Sequence, residues 1–255
     1  MKDKDVEIYQ KKYRNVTIRV NPYTIEKMNL IQSKIILKIE DYYLASIPFS
    51  LSMDKAHLLL ILSEKEKLFF QKYLNHLSSL YFAAKTQPNR PEINFFIMGS
   101  LVNIKNVREN INNAEFVYKN CPDFYSLILG KYLDNYFLMQ KLYHAYKNKI
   151  IEITKENKKK INFYNIRIKI TKAEINPSLV SFSTSQIIFL SPLNRFQVKE
   201  GEQLSATMFF ENYNILVKGT IKKIEPFNKD HNKVYCDIEF SPEIVEIVLL
   251  YYPNK

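Results

Sequence analysis

Two fourteen-residue stretches, "SLSMDKAHLLLILS" (50–63) and "SLVSFSTSQIIFLS" (178–191), run through this chain at an offset of 128 (178 − 50 = 128). Leu80 and Met208 keep that offset inside "SSLYF" and "ATMFF". "NFFIMGSLVNI" then matches "NILVKGTIKKI", with Gly99 on Gly219 at an offset of 120 (219 − 99 = 120). Last, "AEFVY" matches "CDIEF", and each is followed by a proline and a helical pattern. An ordered series of this kind reads as one unit built twice. The segments are short and rich in Ile, Phe and Tyr, which favours strands. Six or so short strands per copy suit a small antiparallel β-barrel closed by a helix.

The clearest helix lies between the copies. In "CPDFYSLILGKYLDNYFLMQKLYHAYKNK" (121–149), Leu127, Ile128, Tyr132, Leu133, Phe137, Leu138 and Leu142 recur at three- and four-residue spacing. Asp123 behind Pro122 is a start signal. We therefore divide the chain into an N-terminal arm (1–30), partly helical and interrupted by Pro22, a first barrel with its trailing helix (31–138) and a second barrel (139–255). "KENKKK" (155–160) reads as an exposed hairpin loop and "PEIVEIVLLYY" (242–252) as a C-terminal helix. A chain of 255 residues, 46% hydrophobic, can fill both cores.

The formal net charge is +11. That sign suits a phosphate-bearing partner and equally a solvated lysine surface. Six arginines (14, 19, 90, 108, 167 and 195) supply few planar forks, whereas lysine acts on phosphate as a point charge. Cys121 and Cys236 make no disulfide framework, and the N-terminus has no apolar signal segment, so a reducing cytoplasm is expected. The longest apolar runs, such as "LLLIL" (58–62), are too short to span a bilayer. His57, His76, His144 and His231 have no metal-ligand spacing. Nucleophile elbow, P-loop and paired-carboxylate motifs are absent from the sequence, so a non-enzymatic role is expected.

The turn "NPSLVS" (176–181) carries a further resemblance. The PilZ domain family has a [D/N]xSxxG turn before its third strand and an RxxxR arginine pair in the linker ahead of its first. Asn176 and Ser178 fit that turn, with Ser181 in the glycine position. "GEQLSATMFF", "NILVKGTIKKIE" and "KVYCDIEF" resemble the family's later strands, so the likeness covers roughly 140–250. The first half is similar in outline to the N-terminal domain of two-domain spirochaete members, and "FYSLILGKYL" (124–133) to the helix that follows it. The resemblance implies a mainly β fold: two six-stranded antiparallel barrels joined by a helix and linker, with N- and C-terminal helices.

It also implies cyclic di-GMP as ligand, no further cofactor, and signalling by reorientation of the two domains. The matching positions are Asn176, Ser178 and Ser181, with Lys141, His144, Lys147 and Lys149 in the linker. The sequence departs from the family there, since RxxxR occurs nowhere in it. Losing two bidentate guanine contacts weakens binding on the order of thirty-fold to ten-thousand-fold. Arg167, mid-strand in "NIRIKI", is the candidate substitute guanidinium. Asn176 and Ser178 also fit an ordinary turn, and the lysines a solvated helix end. The rival function is a ligand-independent adaptor for a protein target, or a nucleic-acid-binding regulator using the lysine-rich surface.

Overall fold

The computed structural model describes residues 4–85, 91–170, 173–193, 198–211 and 214–253. They fall into two compact units, residues 1–135 and 136–255.

In the first unit, α1 (Lys4–Lys12), β1 (Ile18–Arg19) and α2 (Pro22–Lys27) precede β2 (Ile36–Ile39), β3 (Tyr42–Ala45), β4 (Ile47–Leu51) and β5 (Lys55–Ile61). After α3 (Glu64–Lys72) come β6 (Leu77–Ala84), β7 (Ile93–Arg108) and β8 (Ile111–Tyr118), and then α4 (Asp123–Tyr146). The strands form one antiparallel sheet in the order β1-β4-β5-β8-β7-β6-β2-β3. Residues 4–27 belong to this core, since Val6, Tyr13, Ile18 and Ile25 are buried.

The second unit has β9 (Ile151–Glu152), α5 (Lys155–Lys160), β10 (Phe163–Ile170), β11 (Ala173–Ile175), β12 (Ser178–Phe182) and β13 (Gln186–Pro192). β14 (Gln203–Phe210), β15 (Asn214–Pro226), β16 (His231–Ile238) and α6 (Pro242–Tyr251) complete it. Its sheet order is β11-β10-β14-β15-β16-β13-β12-β9. Reversed and renumbered strand for strand, that is the order of the first unit. β10 lies against β12, which curls the sheet toward closure. Period-two burial, with Ile166, Ile168 and Ile170 inside and Arg167 and Lys169 outside, gives the barrel its core.

The duplication is present, but its register differs from the sequence match. Lys55 opposes Val117 as Gln186 opposes Asp237, so β5 maps to β13 at 131 (186 − 55 = 131). Gly99 opposes Ser78 and Tyr118, as Gly219 opposes Leu204 and Ile238. That keeps β7 and β15 at 120 and sets β6 to β14 at 126 (204 − 78 = 126). Leu80 therefore corresponds to Ala206, and Ser50 to Ser181. The apolar runs slide by three residues without losing their likeness, and only the paired hydrogen bonds fix them.

Residues 163–175 form a hairpin of β10 and β11, whose connecting residues 171–172 lie outside the described set. One further expectation changes. "KENKKK" is a helix, because the Thr154 side chain accepts a hydrogen bond from the Asn157 N–H and caps it.

α1 packs on α4 in the first unit. Tyr13 Oη and Lys12 Nζ donate to Asp134 Oδ1 at 2.5 and 2.6 Å, and these donors hold its carboxyl below the usual range. The Tyr9 ring sits over Gly130, where a Cβ would come within 2.2 Å of it. Gly130→Ala is expected to cost about 1–3 kcal/mol through overpacking. Thermal unfolding followed by circular dichroism measures it.

Candidate functional site

The turn between β11 and β12 is set by local chemistry. Pro177 lacks an N–H and favours extended backbone at Asn176 before it. Asn176 and Ser178 are both exposed. Ile168 on β10 opposes Ile175, the last residue of β11, so Arg167 and Asn176 each stand one residue beyond the final pair. Arg167 points outward and is about half exposed. Its Nε lies 3.3 Å from Glu174 Oε1, and its guanidinium lies 5.5 Å from the Phe209 ring centroid. Arg167 and Asn176 thus flank the end of the β10–β11 pairing, and Ser178 opens β12 two residues on.

Ser181 is the one buried residue among the expected ligand positions. It is only 5% exposed and sits within β12, opposite Glu152 on β9 and Ile188 on β13. It is not among the left-handed residues of the chain, so the backbone there does not require glycine. The bulge between Leu179 and Ser181 recurs between Pro48 and Ser50, and so belongs to the barrel plan.

The linker is pinned to the second unit. The Thr184 hydroxyl donates to the Tyr143 carbonyl at 2.9 Å, the Ile153 N–H donates to the Val180 carbonyl at 2.8 Å, and Tyr252 Oη donates to the Ile150 carbonyl. Burial, with Tyr251 and Glu152 nearby, raises the Tyr252 phenol above its ordinary pKa. Lys149 holds its ammonium 5.8 Å from the Tyr252 ring centroid, and Lys147 is exposed in the turn after α4. Lys141 and His144 lie on α4 and line a shallow pocket with Phe137, Tyr143 and Phe240, which contains neither Asn176 nor Ser178.

Strand register explains this separation. β9 runs antiparallel to β12, with Ile151 opposite Phe182 and Glu152 opposite Ser181. Lys147 and Lys149 precede β9 and so approach the Phe182 end. The chain leaves β9 toward Ser178, and there it forms α5 with Lys155, Lys158, Lys159 and Lys160. These α5 lysines are the residues the sequence reading assigned to a loop. Thr154, a capping residue just before them, is the signal that places them on a helix. Among the described residues no cluster of three or more His, Cys, Asp or Glu could hold a metal ion. Cys236 is buried in the core, and burial pushes its thiol up to about 12. No helix among the described residues is long and apolar enough to cross a membrane.

Residues 4–135 match the PilZN3 domain, 132 of 255 positions (135 − 4 + 1 = 132). The chain belongs to the PilZN3 domain family. That match bears out the PilZ resemblance drawn from the sequence, and it falls on the first unit. No curated protein sequence matches the chain. Several solved structures are similar, three of them as follows. The Borreliella burgdorferi PlzA protein in complex with c-di-GMP is 17% identical, with 97% of this chain and 98% of that one covered and a TM-score of 0.46. The K. pneumonia MrkH–c-di-GMP complex is 9% identical over 93% and 96%, with a TM-score of 0.32. YcgR from Escherichia coli in complex with c-di-GMP is 10% identical over 92% and 90%, with a TM-score of 0.32.

Proposed function

We propose that this PilZN3 protein is a cyclic di-GMP effector whose ligand edge is the β10–β11–β12 corner of residues 136–255. The observation that carries this reading is the β10–β11 pairing, whose last pair, Ile168 with Ile175, is adjoined by Arg167 on one strand and Asn176 on the other, two residues before Ser178. A guanine presents O6 and N7 acceptors on one edge, and a guanidinium can take both. Arg167 supplies that planar fork, held 5.5 Å from the Phe209 ring centroid. The Asn176 amide and Ser178 hydroxyl meet the remaining donors and phosphate oxygens. The α5 lysines add attraction for phosphate, and Lys147 and Lys149 add it from the other end of β12. Glu174 holds Arg167 in the free protein and must release it to the ligand. Binding at this corner then acts on the pinned linker, and reorientation of the two units carries the signal.

Calorimetric titration of the purified chain with cyclic di-GMP tests the reading. Saturable binding is expected, and Arg167→Ala should weaken it by roughly ten- to a hundred-fold. Asn176→Ala should cost about ten-fold. A folded protein that releases no heat at tens of micromolar ligand ends the proposal, and leaves a ligand-independent adaptor or a nucleic-acid-binding regulator as the reading.

A further inference from the structure

The first unit carries an exposed aromatic row that its own barrel does not need. On the outer face of β3, β2, β6 and β7, Lys38 opposes Tyr43, and Ile36 and Phe96 flank Tyr81 from its two neighbouring strands. Tyr43 is 59% exposed and Phe96 48%. The Tyr43 and Tyr81 rings lie 6.5 Å apart, and the Tyr81 and Phe96 rings 5.5 Å apart. The Lys38 ammonium sits 5.0 Å from the Tyr43 ring centroid. On the far side, the Lys119 N–H donates to the Met98 carbonyl at 2.8 Å, and alternation turns its side chain to the same outer face as Met98.

The second unit shows what the fold itself requires. At the corresponding positions it has Glu174, Thr207 and Leu216 in place of Tyr43, Tyr81 and Phe96 (174 − 43 = 131, 207 − 81 = 126, 216 − 96 = 120). The same strand order is built there without a single ring in the row. Packing therefore does not explain the three aromatics, and large exposed apolar faces mark contact sites.

We propose that this face of the PilZN3 unit binds single-stranded nucleic acid, by stacking unpaired bases on Tyr43, Tyr81 and Phe96 and by drawing the backbone phosphates to Lys38 and Lys119. Charge complementarity selects this occupant. The row itself carries lysines and no carboxylate, and the chain as a whole is at +11. The carboxylates that border the row are Asp41, at the β2–β3 hairpin and close enough to act on Lys38, and Glu92, which is paired with Lys34. β3 is the terminal strand of its sheet, so the face is open along that side. No arginine stands in the row to read base edges, so binding should tolerate sequence. A duplex hides its base faces and cannot use the rings.

Fluorescence anisotropy of the full chain with labelled single strands of about 12 nucleotides, RNA and DNA, tests this. Affinity is expected to fall as salt rises. Tyr43→Ala and Phe96→Ala should each weaken binding roughly five- to a hundred-fold. Phe96→Tyr should preserve it, and Leu68→Ala, at an exposed leucine on α3, should leave it unchanged. Circular dichroism on each variant separates lost binding from lost fold. The proposal is overturned if the wild-type chain binds neither strand at low salt. It is also overturned if the Tyr43→Ala/Phe96→Ala double variant binds as tightly as wild type, or if a duplex of the same sequence binds equally well. None of these outcomes bears on cyclic di-GMP binding, which uses residues of the other unit.

Discussion

Replacing Ala145 and Lys149 with arginine is expected to tighten cyclic di-GMP binding by about thirty-fold to ten-thousand-fold. The pair recreates the RxxxR spacing at the end of α4 and the start of the linker, where both native side chains are exposed. The net charge rises by only one, because Lys149 already carries a positive charge. Attraction for phosphate therefore changes little, and a large gain must come from planar, bidentate recognition of guanine. The control is Ala145→Lys with Lys149 kept, which adds the same charge without a fork and should gain less than about ten-fold. Calorimetry on the three proteins decides the matter. Equal affinities would mean that the linker end at Phe182 does not face the ligand, and that Arg167 works alone.

The second large effect concerns stability. Gly99→Ala and Gly219→Ala are each expected to destabilise their unit by about 3 kcal/mol or more. A Cβ on Gly99 would lie 2.2 Å from the Val117 carbonyl and 2.7 Å from the Phe116 ring. One on Gly219 would lie 2.5 Å from the Asp237 carbonyl and 2.7 Å from Cys236 Sγ. The nearest atom in each case is backbone in a paired strand, which cannot move without breaking the ladder. Both glycines sit at the same barrel position, which is why they aligned in the sequence. Gly201 differs in kind. Its φ is +82 and nothing lies within 4 Å, so Gly201→Ala should cost only about 1–2 kcal/mol of backbone strain. Denaturant unfolding of the three variants should rank them in that order. A Gly219→Ala protein as stable as Gly201→Ala would contradict the packing described.

The duplication was legible because Gly99 and Gly219 answer to a steric demand that no other residue meets. Its register was less legible. The apolar runs around Leu58 and Phe189 look alike at several offsets, and only hydrogen-bond pairing separates 128 from 131. The turn at Asn176 was legible from the proline and the short polar side chains. The burial of Ser181 was not, because it depends on β9, a two-residue strand too short to leave a periodic trace. The α5 lysines were misassigned because six mostly charged residues look like a loop unless the threonine before them is read as a cap. The row of Tyr43, Tyr81 and Phe96 was invisible for another reason: its members come from three strands and meet only when the sheet forms.

The shifting offset between the two copies has a practical consequence. It falls from 131 to 126 between β5 and β6, and from 126 to 120 between β6 and β7. The barrel thus closes with five fewer residues in one connection and six fewer in the next. Chain length at those two connections therefore differs between the copies, while β5 and β13, and β6 and β14, keep the same strand lengths. Each doubling of a flexible connection costs only about 0.6 kcal/mol. A fluorescent reporter or affinity epitope grafted between β5 and β6, or between β14 and β15, should leave both barrels intact, and the chain can be followed in cells without touching either end.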